Sequence, residues 1–212
     1  MNKAELIQIV GWRLGDRADM AARIDLELDT IQDNVLESNV FRPWFLESEL
    51  AKVTTTANER RVPLPEDFLS EIEESHLYVQ SPEAVGTFVE MLKKDPDTAA
   101  RLFPESGFPV VYAISGLYFQ MFPLPLGAYP LQMRYFAKAS RISDETTVSP
   151  WLQFASDLVL AELCQVLAAK HIKDAAAAQG FATDASAAWK KLYDVHTARG
   201  EINVKRSLGD NS

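Results

Sequence analysis

Three histidines, one cysteine and a row of carboxylates carry the clearest capacity for chemistry in this 212-residue chain. His76, His171 and His196 fall in separate segments. No two share the three- or four-residue spacing that puts metal ligands on one helix face. His171, near the end of a helical stretch, reads as a cation compensating the helix dipole. Cys164 follows Leu163 on an apolar helical face, where a thiol packs as a small hydrophobe rather than acting as a nucleophile. A single cysteine excludes an internal disulfide and a multi-cysteine zinc site. Asp19, Asp25, Glu27, Asp29, Asp33 and Glu37 lie along one helix without a histidine among them. Ligands strung along a rod do not converge on a divalent ion, so a solvated face is expected, one able to line an acidic channel. Arg134-Tyr135-Phe136 and Lys138 mix base with aromatic, as single-strand nucleic-acid sites do. On a chain of net charge -9, a strand with alternating faces explains them better. An enzyme of scattered parts would draw on His76, Asp67 and Arg134. No Gly-rich phosphate loop, His-Glu-x-x-His, Gly-x-Ser-x-Gly or Cys-x-x-Cys accompanies them. The expectation is no catalytic residue, no cofactor and no metal.

Composition sets the same bounds. Hydrophobic residues at 47% and charged residues at 24% describe a globular chain, long enough for one domain or two small ones. The longest near-apolar run, Leu158 to Ala169, is broken by Glu162 and Gln165 and is too short to span a bilayer, so no membrane is expected. No signal-peptide pattern opens the sequence, so a start in a cytoplasm is expected. A surface of net charge -9 repels a phosphate backbone, so nucleic acid is not the expected ligand of the whole surface.

The elements that position these residues follow from spacing. Asn2 and Glu5 form a capping box ahead of Leu6, Ile9 and Val10. Met20, Ile24, Leu28, Ile31 and Val35 predict a helix from Arg17 to about Glu37. Val53 to Thr56 and Val62 favour two short strands, with a turn at Thr56 to Glu59 and prolines at 63 and 65 stopping the second. Ile72 to Val79 leads into another strand. Ser81-Pro82-Glu83 predicts an inserted helix over 82–94, and Asp97 to Phe103 a shorter one. Val110 to Ile114, Leu117 to Phe122 and Leu131 to Phe136 predict a three-stranded meander, its first turn at Ser115-Gly116. Ser149-Pro150 opens a long central helix from Trp151 to about Ala175. Gly180 separates it from a last helix that Gly200 ends. Helices, then sheet, then helices make an α+β chain.

Two stretches exceed what such a core needs. Phe119, Phe122, Leu124, Leu126 and Tyr129 crowd one side of the predicted sheet, to be covered by a helix or by a partner subunit. Ile202, Val204 and Leu208 alternate with charges, including Lys205 and Arg206, in a terminal segment. That segment is either disordered or laid extended into a partner.

The order of these signals resembles the head-to-tail adaptor, or connector, proteins of tailed bacteriophages. The resemblance runs through Pro43-Trp44-Phe45-Leu46, Val53-Thr54-Thr55-Thr56 and Arg61-Val62-Pro63-Leu64-Pro65-Glu66-Asp67-Phe68. It continues through Leu117-Tyr118-Phe119-Gln120-Met121-Phe122-Pro123-Leu124-Pro125, Met133-Arg134-Tyr135-Phe136 and the Trp151 helix with Asp157-Leu158-Val159-Leu160. Tyr135-Phe136 stands where that family often has Tyr-Tyr, and the 82–94 helix is an addition. What the resemblance implies is a mainly α-helical bundle with an inserted small antiparallel β-sheet and an extended C-terminal tail. The single domain would cover 1–200, with the bundle from 1–40 and 150–199, the β insertion at about 50–140, and the tail at 201–212. It implies a structural virion protein at the head–tail junction, assembled in the host cytoplasm as a homo-oligomeric ring, commonly a dodecamer. The ring would join the portal protein to a tail nozzle or tail-completion protein. It would pass double-stranded DNA through its channel without reading sequence. Ile202, Val204, Lys205, Arg206 and Leu208 map to the portal-gripping tail. Residues 170–212 hold seven Lys/Arg against five Asp/Glu, which leaves -11 on the remainder, a charge suited to a non-sticking channel. The alternatives are another phage tail-ring or completion protein, or a host protein-interaction module without catalysis.

Overall fold

The computed structural model describes residues 1–49, 53–72 and 76–209, with backbone alone for Ala18 and for 200–209. Its α-helices are α1 (Lys3–Arg13), α2 (Ala21–Ile31), α3 (Pro96–Leu102), α4 (Pro150–Phe154), α5 (Ser156–Leu167) and α6 (Ala175–Gly209). The first strands are β1 (Glu47–Glu49), β2 (Val53–Thr54), β3 (Arg61–Pro63), β4 (Phe68–Glu71), β5 (Tyr78–Gln80), β6 (Phe88–Glu90) and β7 (Leu92–Lys93). The rest are β8 (Ser106–Gly107), β9 (Val111–Ser115), β10 (Tyr118–Phe122), β11 (Leu124–Pro125), β12 (Pro130–Gln132) and β13 (Arg134–Ala137). The chain forms two compact units: Met1–Leu46 with Ala139–Ser212, and Glu47–Lys138. Among the described residues, helix accounts for 45% and strand for 21%, the strands spread over four multi-stranded sheets. A mainly helical bundle with one small sheet is therefore too simple a description. Strands of two to five residues, cut by proline and glycine, leave too little alternation for the sequence to reveal how many there are.

In the helical unit, Glu5 N donates to Asn2 Oδ1 at 2.8 Å and Asn2 N to Glu5 Oε2 at 2.9 Å, the capping box that starts α1. Met20, Ile24, Leu28 and Ile31 are buried, as their spacing requires. The helix then widens into a π turn over Gln32–Leu36. The wider turn shifts the phase, so Leu36 rather than Val35 faces inward, accompanied by Gln32 and Glu37. Gln32 Nε2 donates to Glu37 Oε1 (2.7 Å) and to the Ala139 carbonyl (3.1 Å), and Gln32 Oε1 accepts from Ile142 N (2.9 Å). Glu37 Oε1 also accepts from Ala139 N at 3.2 Å. Nearby, Arg141 pairs with Asp33 at 2.6 Å and Ser143 Oγ donates to Asp29 at 2.7 Å. Three of the six carboxylates in the row expected to be a solvated face, Asp29, Asp33 and Glu37, thus hold the returning segment 139–143, while Asp19, Asp25 and Asp33 stay exposed.

Ser149-Pro150 does open a helix, but not one running unbroken to about Ala175. Ala155, at φ -136 and ψ 35, separates α4 from α5, and a π turn over Ala168–Ile172 leads to Lys173 at φ 61. Asp174 then caps α6, accepting from Ala177 N at 2.9 Å. That helix runs through Gly180 and Gly200, both expected as stops. A mid-helix glycine costs about 1 kcal/mol relative to alanine. At Gly180 the alanine-rich flanks and the packing of α6 on α5, with Ala185 and Leu192 buried, outweigh that cost. The backbone of 201–209 is helical, which corrects the extended tail.

In the β-rich unit the sheets run β1-β13-β4, β3-β10-β9-β7, β8-β11 and β2-β12-β5-β6. The β9–β10 hairpin forms, but Ser115 pairs with Tyr118, so its two-residue turn is Gly116-Leu117 rather than the expected Ser115-Gly116, with Gly116 at φ 60. The predicted meander does not. The second neighbour of β10 is β3, and the predicted third strand splits at Met133 into β12 and β13, which serve two other sheets. The turn at Thr56 to Glu59 exists, closed by Glu59 N to Thr56 O at 3.1 Å, but β2 and β3 on either side of it belong to different sheets. The helix predicted over 82–94 is instead a turn followed by β6 and β7. Glu83 N donates to Ser81 Oγ (3.3 Å) and Ser81 N to the Thr87 carbonyl (2.8 Å), so the cap-like Ser-Pro-Glu closes a turn through Gly86 at φ 87. Pairing of β6 with β5 overrides the helical spacing of Val85, Phe88, Val89 and Leu92. The short helix expected near Asp97 to Phe103 is α3, with Asp95 accepting from Thr98 N at 3.0 Å.

The Gln32–Glu37 pair can be weighed against its exposed neighbour. Glu37→Leu leaves Ala139 N without its acceptor and takes one of its acceptors from Gln32 Nε2, which keeps the Ala139 carbonyl; the expected loss is about 2–3 kcal/mol in urea unfolding. Asp33→Ala removes a half-exposed partner of Arg141 and is expected to cost under about 1 kcal/mol. Equal costs for the two would remove the special role of the buried pair.

Candidate functional site

The structure gives each member of the imagined catalytic set a different partner. His76 Nδ1 lies 3.5 Å from Glu90 Oε1, Asp67 accepts from Tyr135 Oη at 2.9 Å, and Arg134 pairs with Glu47. Burial, reinforced by the hydrogen bond to Asp67, pushes the Tyr135 hydroxyl up, so it stays a protonated donor. Tyr112, buried and donating to Glu71 Oε1 at 2.9 Å, is pushed up in the same way. Cys164 is fully buried, and burial raises its thiol to about 11, far from a working thiolate. His171 Nε2 sits 3.1 Å from Glu27 Oε1, and Lys170 Nζ lies 2.9 Å from Glu27 Oε2. These three bind the π turn after α5 to α2. His196 packs edge-on against Phe41, ring centroids 5.2 Å apart. Among the described residues no cluster of His, Cys, Asp or Glu could hold a metal ion, and no helix is long and apolar enough to cross a membrane.

The surface is richer in contacts than in chemistry. Of the crowded apolar group, Phe119 and Phe122 are buried inside the β-rich unit. Phe119 meets Phe68 and Tyr112 edge-on, and Phe122 lies beneath α3, with the Arg60 guanidinium 4.6 Å from its ring centre. Leu124 and Tyr129 are half-buried, and Leu126 is 59% exposed. The side chains of Ile202, Val204, Lys205, Arg206 and Leu208 lie outside the described residues; their backbone continues α6.

Two apolar surfaces escaped the reading of the sequence. In the helical unit, Trp44, Phe154, Leu158, Leu192 and Val195 line a cleft of about 110 Å³, rimmed by Asp157 and Lys191 at 3.6 Å. The Arg199 guanidinium sits 4.3 Å above the Trp44 ring. In the β-rich unit, every residue of β6 is exposed, and Val85 ahead of it is 95% exposed. The signal for the second was present, since Val85, Phe88, Val89 and Leu92 are unusually apolar for a surface segment. Their helical spacing implied a buried face instead.

A family model described as SU10 adaptor protein matches residues 1–211. No curated protein matches the chain.

The Glu27 cluster gives a measurable pH dependence. Burial pushes the Glu27 carboxyl up, but hydrogen bonds from Lys170 and His171 outweigh it and hold the group below its ordinary 4.5. A depressed carboxyl stabilises the fold above its unfolded-state pKa, and that contribution disappears as pH falls through the folded value. Wild-type stability should therefore fall from about pH 4.5 downward. Glu27→Gln should lower stability at pH 7 by about 1 kcal/mol and flatten this acid limb. Urea midpoints measured from pH 7 to pH 3 check both, and parallel curves for the two proteins would refute the assignment.

Proposed function

The chain belongs to the SU10 adaptor protein family, a family of phage head-to-tail adaptors, and from that premise we propose that it acts as a ring between portal and tail. Adaptors of this kind are structural proteins of the virion's head–tail junction, interacting with portal and tail proteins. The finer reading is a closed homo-oligomeric ring, a dodecamer in the first instance, assembled in the host cytoplasm and coaxial with the DNA channel. The observation that carries it is a family match along essentially the whole chain.

Physical features support the reading. A heterologous interface closes into a ring when its rotation permits. The charge of -11 outside residues 170–212 suits a channel through which DNA slides without counterion-releasing contacts. We assign portal binding to the C-terminal end of α6, through Ile202, Val204, Lys205, Arg206 and Leu208. As a helical extension it would dock by one face rather than as an added strand. The partly exposed Leu124, Leu126 and Tyr129 serve a tail protein or a neighbouring subunit. The protein works by shape and assembly, without catalysis.

Native mass spectrometry of the full chain, alone and mixed with the portal protein of the same phage, tests this. The expected product is a portal complex carrying adaptor copies in a fixed ring number. Removing residues 201–212 should weaken portal binding at least tenfold and leave the thermal midpoint of the protein unchanged. A full-length chain that ignores the portal in every assembly state would overturn the adaptor role.

A further inference from the structure

One sheet of the β-rich unit has two unfinished edges. In the order β2-β12-β5-β6 no strand among the described residues pairs beyond β6 on one side or β2 on the other. Met91 N donates to the Leu77 carbonyl and Ser81 N to the Thr87 carbonyl, both at 2.8 Å, so residues 87, 89 and 91 turn their backbone groups toward β5. Strand alternation then points the N–H and C=O of Phe88 and Glu90 outward. Further along, Leu92 N donates to the Val110 carbonyl at 3.0 Å, which confines the open stretch to Phe88 and Glu90. On the far edge, Thr55 N donates to the Tyr129 carbonyl at 3.0 Å, so Thr54 turns its backbone groups outward. Each edge thus offers a donor and an acceptor, and an open edge of this kind is a template for another strand.

Apolar surface accompanies both edges. Val85, Phe88 and Val89 are exposed at β6. At β2, Thr55 Oγ1 donates to the Gly127 carbonyl (2.8 Å) and accepts from Tyr129 N (2.9 Å). Asn58 N donates to the Pro125 carbonyl (2.8 Å). These bonds hold the loop bearing exposed Leu126 beside β2.

The strand directions select the occupant. All three pairings in this sheet are antiparallel, so β2 and β6 run in opposite directions. When neighbouring copies are related by a ring rotation, β6 of one meets β2 of the next antiparallel, the more favourable ladder. We propose that β6 of one copy adds to the β2 edge of a second copy, joining sheets head to tail. Phe88 and Glu90 supply the hydrogen-bonding edge, and Val85 and Val89 pack toward the neighbour's Leu126 loop. This deepens the ring reading above and rests on it for the choice of a second copy as occupant.

Cross-linking tests the joint. Thr54→Cys/Glu90→Cys, treated with a short bismaleimide alone and in the presence of the portal protein, should give a ladder of trimers and larger species. Thr54→Cys or Glu90→Cys singly should give none, and native Cys164 is buried. Phe88→Pro removes an outward N–H without touching the β5 ladder and should weaken self-association at least tenfold with its thermal midpoint retained. Cross-linked dimers from Glu90→Cys alone would show β6 meeting β6 and overturn the head-to-tail joint. So would the absence of cross-links in both samples, or normal assembly of a folded Phe88→Pro protein. If Phe88→Pro does not fold, the cross-link pattern decides. Portal binding without cross-links would leave the adaptor role standing and remove only this joint. A cross-linked ladder without portal binding would do the reverse.

Discussion

The helical unit depends on the Gln32–Glu37 pair, because it sits where the chain returns to that unit. The polypeptide leaves the helical unit after Leu46 and re-enters it at Ala139, so one side of that unit must recognise backbone that arrives from far along the sequence. Gln32 and Glu37 do this with four hydrogen bonds to each other, to both backbone groups of Ala139 and to Ile142 N. A buried amide and carboxylate are tolerated only when their polar atoms are satisfied, and here the returning backbone satisfies them. Arg141 on Asp33 and Ser143 on Asp29 extend the same seam at its exposed border.

Much of the helical unit was legible because its signals are local. The capping box of Asn2 and Glu5, the stripe from Met20 to Ile31 and the proline-led start at Pro150 each depend on residues a few positions apart. The π turns were not legible, since widening a helix by one residue leaves the same composition and only moves Val35 out and Leu36 in. Glu37 was misread for that reason: ideal helical spacing puts it on the solvated face. Gly180 and Gly200 do not stop the helix because glycine is a weak prior, overruled at Gly180 by packing on α5 and alanine-rich flanks.

In the β-rich unit the strands were easier to find than their partners. Val53-Thr54, Arg61–Pro63 and Tyr78–Gln80 carry β-forming residues, yet which edge each joins is set by contacts dozens of residues away. The segment 81–94 shows the conflict most plainly. It has a cap, a proline and apolar residues three and four apart, and it folds as strands because Gly86 permits the turn and β5 offers a ladder. The apolar residues near Phe119 illustrate the opposite case. Phe119 and Phe122 looked like surplus and proved to be core, while Leu126 of the same group is exposed and further apolar surface lies at β6 and around Trp44. The contrast between a crowded sheet and an uncovered strand is a matter of pairing, which composition does not record.

The π turn at Gln32–Leu36 also has a genetic consequence. Loops absorb insertions and deletions with little effect, but a helix whose wider turn is held by two buried polar side chains does not. Deleting one residue between Asp33 and Val35 would restore the ordinary helical rhythm and swing Glu37 away from the Ala139 N–H. Relatives that lack the extra residue must therefore tie down their returning strand by other side chains. Length at that one turn and the identities of Gln32 and Glu37 are therefore physically tied to one another.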